Sequence, residues 1–428
     1  MPSGRNSVMT GSLRLTYVNQ SQEPVYLIKL RLHPNDVRPG CMTVYDLAVN
    51  DQQAYFEMTG QNQSILSVPL PLEIGPWETA ELYFSFTIIL PETGSRFGIN
   101  SNGLMLGNAL PIAAVYENGA WRDDAYVEEG DCFYSRSSDY KVVVTAPANW
   151  ALAYTGSLVE QKTENGTTTY YITASEVREF ALALVEKAYT AQAECASGAT
   201  TVHALADSRS HAEFAAEAAA KALDFFNEKI GAYPYPDFFV VQFDMPGGME
   251  YPGLVMICKD YYVSSRQGEG ARVIGHEVAH QWFYNVVGSD QIKSPWLDES
   301  LVEYLGFRLY ADYAGEEAMQ AQLETRFQNY LDGYERTVRL DAALEDYSAA
   351  DYFYVVYAYG CQVYRALYEK LGEAAFYEGL ATYYNANSFS IATKEDLVAA
   401  FSEAAGEDLT QWFEQKLAAP GQADAPAA

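Results

Sequence analysis

Gly275-His276-Glu277-Val278-Ala279-His280-Gln281-Trp282 decides how this chain is read. The run around it can be helical throughout: Val273, Ile274, Val278, Ala279, Trp282 and Phe283 offer apolar contacts, and no proline intervenes from Gly268 to Ser294. Residues four apart on a helix share one face, one turn apart. His276 and His280 therefore aim two imidazoles at one point, the arrangement that binds zinc, with Glu277 beside them as a candidate general base. The chain has only five histidines, and this pattern uses two of them.

A catalytic zinc usually takes three protein ligands and leaves a fourth position for water. Downstream, Trp296-Leu297-Asp298-Glu299-Ser300-Leu301-Val302-Glu303-Tyr304 also reads as a helix, with Pro295 near its start. Eighteen residues, Gln281 to Asp298, separate His280 from Glu299. This His-Glu-x-x-His, the spacing and the Trp-Leu-x-Glu context resemble the aminopeptidase N family of zinc peptidases, the gluzincins. The resemblance implies that His276, His280 and Glu299 bind one zinc ion per chain. Asp298 stands where that family usually has Asn.

At 428 residues the chain is long enough for about two or three domains. It is 49% hydrophobic and 20% charged, ordinary for a globular protein. A formal charge of −30 argues against nucleic acid and anionic lipid as partners. Five cysteines without a Cys-x-x-Cys point to neither a disulfide scaffold nor a zinc knuckle. No apolar run is long enough to span a membrane. Met1-Pro2-Ser3-Gly4-Arg5 lacks a signal-peptide core, so the expectation is a soluble protein, cytoplasmic or exported with its signal outside this sequence.

Residues 1–190 read as β-rich. Leu13, Leu15 and Tyr17 alternate with polar residues, and Glu81–Ile89 and Tyr140–Thr145 read as strands. His33-Pro34-Asn35, Gly75-Pro76, Pro91–Gly94 and Asn165-Gly166 read as turns. Beyond residue 190 the pattern becomes helical. Ala212–Ile230 is a strong helix by propensity, and Phe238–Phe243 is a buried strand. Helices are predicted over Glu316–Leu331, Tyr352–Leu371, Ala374–Asn385, Lys394–Ala405 and Leu409–Leu417. Residues 418–428 are low-complexity and read as a disordered tail. The fold class is α+β. The resemblance makes 1–190 a saddle-like antiparallel β-domain and 191–417 a thermolysin-like, mainly α catalytic domain. It is that of a small bacterial-type member without the family's C-terminal helical domain.

Gly247-Gly248-Met249-Glu250 resembles the family's Gly-x-Met-Glu-Asn exopeptidase motif. Two glycines permit close approach of a peptide as an added strand, and Glu250 would meet its free α-ammonium. Tyr251 replaces the motif's Asn. Tyr357, followed three residues later by Gly360, fits the family's oxyanion-stabilising tyrosine. Tyr354 and Tyr359 compete for that slot in a chain with 34 tyrosines, and Tyr359 stands where Lys is usual. Glu303, one turn beyond Glu299, either backs a ligand histidine or is an exposed carboxylate.

The expected function is a zinc aminopeptidase acting on peptides with a free N-terminus, Glu277 activating water and Tyr357 stabilising the oxyanion. A zinc endopeptidase, an epoxide hydrolase and an inactive binding module on the same fold are the alternatives. Oligomeric state and the preferred first residue have no sequence signal.

Overall fold

The computed structural model describes residues 7–93, 96–328 and 332–419. They form two compact units: one runs to Tyr126 and takes in Glu179–Leu184, and the other comprises Val127–Arg178 and the chain from Val185 onward.

The first unit is built of antiparallel strands. Val8–Val18, Thr79–Ile89, Met42–Val49 and Gln52–Gln53 form one sheet in that order, and Ile112–Ala113, Val25–Arg31, Ile65–Ile74 and Glu57–Thr59 another. Along Thr79–Ile89, Ala80, Leu82, Phe84, Phe86 and Ile88 are buried while their neighbours face outward. That is the period-two pattern of a strand with one covered face. Leu13 pairs opposite Phe84 and Leu15 opposite Leu82. His33-Pro34-Asn35, expected as a turn, instead opens a short helix, His33–Val37. Proline in the first helical turn gives up an N–H that had no partner there anyway.

In the second unit, Ser138–Pro147, Thr167–Val177 and Ser157–Glu164 form an antiparallel sheet. A further five-stranded sheet runs in the order Tyr189–Glu194, Thr201–Ala206, Asp237–Phe243, Leu254–Cys258, Gly248–Met249. Its inner pairings are parallel and its outer ones antiparallel. Parallel strands are covered on both faces and so read as unbroken apolar runs, as Phe238–Phe243 does. The helix Arg209–Lys229 joins two of these parallel strands and buries an alanine-rich face ending in Leu223 and Phe226. The Ser208 hydroxyl caps it by accepting from the His211 N–H. Helices then dominate: Gln267–Ala279, Glu299–Ala314, Glu316–Leu323, Gly360–Leu371, Glu373–Asn387, Lys394–Ala405 and Thr410–Leu417.

The histidine helix does not run on to Ser294. It ends at Ala279. Beyond it the N–H groups of Asn285, Val286 and Val287 donate to the carbonyls of His280 (3.0 Å), Gln281 (3.2 Å) and Trp282 (2.9 Å). The buried Arg178 guanidinium holds the segment that follows. Nε donates to the carbonyls of Tyr284 (3.1 Å) and Asn285 (3.2 Å), Nη1 to that of Ser135 (3.0 Å), and Nη2 to those of Val286 (3.4 Å) and Ser390. One cation thus gathers carbonyls that a longer helix would have used internally.

The predicted Tyr352–Leu371 helix divides at Gly360, and its first part, Tyr352–Tyr359, is π-helical. Glu316–Leu331 likewise becomes an α-helix to Leu323 and a π-turn over Glu324–Gln328. The rest of that prediction, 329–331, and residues 420–428 of the tail lie outside the described residues. The change in composition near residue 190 is not where the compact units meet. Arg178 and the ring contact of Tyr154 with Phe239, 4.6 Å between centroids, bind residues 127–178 to the later chain. All five cysteines are free. Among the described residues no helix is long and apolar enough to cross a membrane.

Replacing Arg178 by Met strips buried carbonyls of their donor, at a cost of about 1–3 kcal/mol for each one left unpaired. The variant is expected to lose about 3 kcal/mol or more. Urea unfolding checks this, and an unchanged midpoint contradicts it.

Candidate metal and peptide site

His276 lies in the last turn of Gln267–Ala279 and His280 caps it, while Glu299 is the first residue of Glu299–Ala314. The side chains of all three are buried. His276 Nε2 and His280 Nε2 stand 3.3 Å apart. Glu299 Oε2 is 3.4 Å from the first and 3.7 Å from the second. A tetrahedral cation with bonds of ~2.0–2.1 Å separates its ligand atoms by ~3.3 Å. The triangle therefore has the size such an ion needs. Glu299 Oε2 has no hydrogen-bond donor of its own although it is buried, which also fits an ion in that position.

Carboxylates back both imidazoles. His276 Nδ1 lies 2.8 Å from Glu303 Oε2, and His280 Nδ1 lies 2.7 Å from Asp298 Oδ1. These contacts fix the rings and turn each Nε2 toward the shared point. Glu303 Oε1 in turn accepts from Arg272 Nη1 (3.2 Å) and Arg326 Nε (2.8 Å). Asp298 Oδ2 accepts from Gln291 Nε2 at 2.6 Å. Glu303 is thus a buried partner of His276, not an exposed carboxylate.

The electrostatics follow from burial. Desolvation alone would lower the His276 pKa, but Glu299 and Glu303 outweigh it and hold it up at about 9. His280 is raised well above its ordinary value, Asp298 and Glu250 overcoming burial. Glu303 goes the other way: burial is outweighed by Arg326 and Arg272, which keep it ionised. Glu277 is pushed up to about 7, mainly by burial, with the two histidines opposing and Glu299 and Asp131 adding to the rise. A carboxyl poised near neutrality suits proton transfer at physiological pH.

The Gly-Gly-Met-Glu stretch supplies the other wall. Gly248–Met249 pairs antiparallel with Leu254–Cys258 at the end of the five-stranded sheet. A Cβ on Gly248 would fall 2.2 Å from Glu277 Oε1, so only glycine fits against that carboxylate. Met249 is a core side chain. Glu250 brings a carboxylate oxygen into one cluster with His280 and Glu299, all within 4.8 Å. It is 3% exposed, and its Oε1 has no hydrogen-bond partner. Burial, then the Asp131 charge, raise its pKa well above the usual range.

Tyr357 stacks on His276, with centroids 6.2 Å apart and planes 20° from parallel. Burial first, then the nearby Glu299 charge, raise the pKa of the Tyr357 hydroxyl well above the ordinary value. The competing tyrosines are engaged elsewhere. Tyr359 Oη donates to the Lys416 carbonyl at 2.8 Å, and Tyr354 packs on Tyr334 with centroids 4.6 Å apart.

Three contributors escaped the sequence reading. Asp298 was noted only as a departure from Asn. Gln281 ties the two motifs together: its Oε1 accepts from the Gly253 N–H (2.9 Å), and its Nε2 donates to the carbonyls of Glu250 (3.3 Å) and Tyr251 (3.2 Å). Asp131, buried, bears on Glu250, Glu277 and Glu299. Only the adjacency of Asp298 to Glu299 and of Gln281 to His280 signalled the first two.

Residues 214–415 match the Peptidase family M1 domain. Aminopeptidase 2, mitochondrial, of Saccharomyces cerevisiae is 29% identical over 223 residues, which are 49% of this chain and 23% of that protein. Aminopeptidase N of Streptomyces lividans is 29% identical over 223 residues, 48% of this chain and 26% of that protein. The matched stretch is thus about a quarter of the length of these curated relatives. The solved structure of an M1 zinc metallopeptidase from Deinococcus radiodurans is similar in fold. Its TM-score is 0.68 at 21% identity, over 95% of this chain and 89% of that one. The stretch that matches the family domain contains the histidine pair and Glu299.

Proposed function

We propose that the chain is a zinc-dependent aminopeptidase. The observation that carries this reading is the convergence of His276 Nε2, His280 Nε2 and Glu299 Oε2 within 3.3–3.7 Å of one another, beside Glu277. These three groups would hold the ion, which when bound acidifies a water and polarises the scissile carbonyl.

The chain's own groups account for the rest. Glu277 takes a proton from the attacking water and returns it to the departing amine. The Tyr357 hydroxyl donates a hydrogen bond to the oxyanion, a contribution of about 3 kcal/mol in comparable sites. The substrate lies as an added strand along Gly248–Met249, its backbone admitted by the glycines. Glu250, buried with an unpartnered oxygen, receives the α-ammonium in a charge-assisted hydrogen bond. That contact sets the register, so only the first residue reaches the reacting centre. An endopeptidase would need no such acceptor.

Glu277→Gln is expected to keep its zinc and lose at least about a hundredfold in kcat; wild-type turnover by that variant on an aminoacyl amide would sink the reading. Free-amine peptides should be cleaved and their N-acetylated forms spared, and Glu250→Gln should raise KM about tenfold or more. Equal rates on blocked and free peptides would favour the endopeptidase alternative. Asp298→Ala should weaken zinc binding about ten- to a hundredfold in competition with a chelator. An unchanged affinity would remove Asp298 from the site.

A further inference from the structure

Ser300 follows the ligand residue Glu299 directly and is fully buried. Its hydroxyl donates to the carbonyl of Val356 at 2.6 Å. Val356 precedes Tyr357 in the π-helical stretch Tyr352–Tyr359. There the Gly360 N–H reaches back five residues to the Val355 carbonyl, the wide spacing of a π-turn. Such turns are poor in intrinsic stability and occur as short insertions often tied to function. They need outside support to hold one geometry.

Gly360 shows how closely that support fits. A Cβ there would lie 2.0 Å from Ser300 Oγ and 2.5 Å from Ser300 Cβ. The glycine three residues after Tyr357 is therefore the opening through which the Ser300 hydroxyl reaches the π-turn. One short hydrogen bond couples the start of the Glu299 helix to the turn that carries Tyr357, whose ring lies on His276.

Resting on the aminopeptidase reading, we propose that Ser300 is a positioning residue for Tyr357: its bond to the Val356 carbonyl sets where the phenol stands relative to Glu299 and the oxyanion. It touches no substrate. Its effect belongs to the transition state, because the tyrosine is used there and not in ground-state binding. Misplacement of a catalytic group by about 1 Å can cost up to about a hundredfold in rate.

The test is a double-mutant cycle on the zinc-loaded full chain with a free-amine aminoacyl amide. Ser300→Ala is expected to lower kcat about tenfold, with KM and zinc content unchanged. In the Tyr357→Phe background the same change should cost nothing further, since the group it positions is gone. Gly360→Ala crowds the same hydroxyl from the other side and gives an independent variant should Ser300→Ala fail to fold; its loss too should vanish in the Tyr357→Phe background. Equal losses in both backgrounds, or no loss in either, overturn the proposal while leaving the aminopeptidase reading intact. A Tyr357→Phe variant with wild-type kcat removes the tyrosine's role and this proposal together. A zinc-loaded wild type inert toward every such amide sinks the functional reading itself.

Discussion

Buried like charge is the constraint the site must satisfy. Glu250, Glu277, Glu299 and Asp131 are shielded from water together with two imidazoles. Each of Glu250, Glu277 and Glu299 is raised first by burial, with other carboxylates of the group adding to the rise. Ionised carboxylates in a low-dielectric interior are tolerated only when paired or when they coordinate a cation. Without an ion, the histidines hold protons well past their ordinary range. A dication supplies the same positive charge at the centre of the triangle and frees the imidazoles to act as neutral ligands. The geometry is thus that of a cation site whose strain is relieved by the cation.

The backbone arrangement favours the same sign of charge. The histidines stand where one helix ends, near the negative end of its dipole, which attracts a cation. Glu299 opens the next helix, where the positive end of the dipole favours a carboxylate. The abrupt end of the histidine helix serves this. Beyond it, Arg178 binds the carbonyls of Tyr284, Asn285 and Val286. A residue about a hundred positions earlier in the chain thus pins the segment that follows the histidine pair.

Legibility in the sequence followed range. His276, Glu277 and His280 are local in the chain, and a helix alone dictates their geometry. Glu299 needed only two short elements to meet. The strand Thr79–Ile89 and the buried run Phe238–Phe243 announced themselves by periodicity and by its absence. What escaped depends on through-space partners: Asp131 from a distant loop, Arg178 at a helix end, Gln281 bridging two motifs. The π-helical form of Tyr352–Tyr359 also left no trace, because its apolar and aromatic residues suit an α-helix equally well. Composition placed a border near residue 190, yet ring packing and the Arg178 contacts join 127–178 to the later unit.

The two imidazoles look equivalent in the motif and are not equivalent in their surroundings. Behind His276, the Glu303 carboxylate is shared with Arg272 and Arg326, which hold it ionised and balance its charge. Behind His280, Asp298 is steadied by the neutral amide of Gln291. A carboxylate whose charge is spread over two guanidinium groups polarises an imidazole N–H less than one held by an amide. His276 lies between that ionic network and the ring of Tyr357. The formal charge of −30 has no bearing on this difference. It is set within the site, by the guanidinium groups on Glu303 and the neutral amide on Asp298.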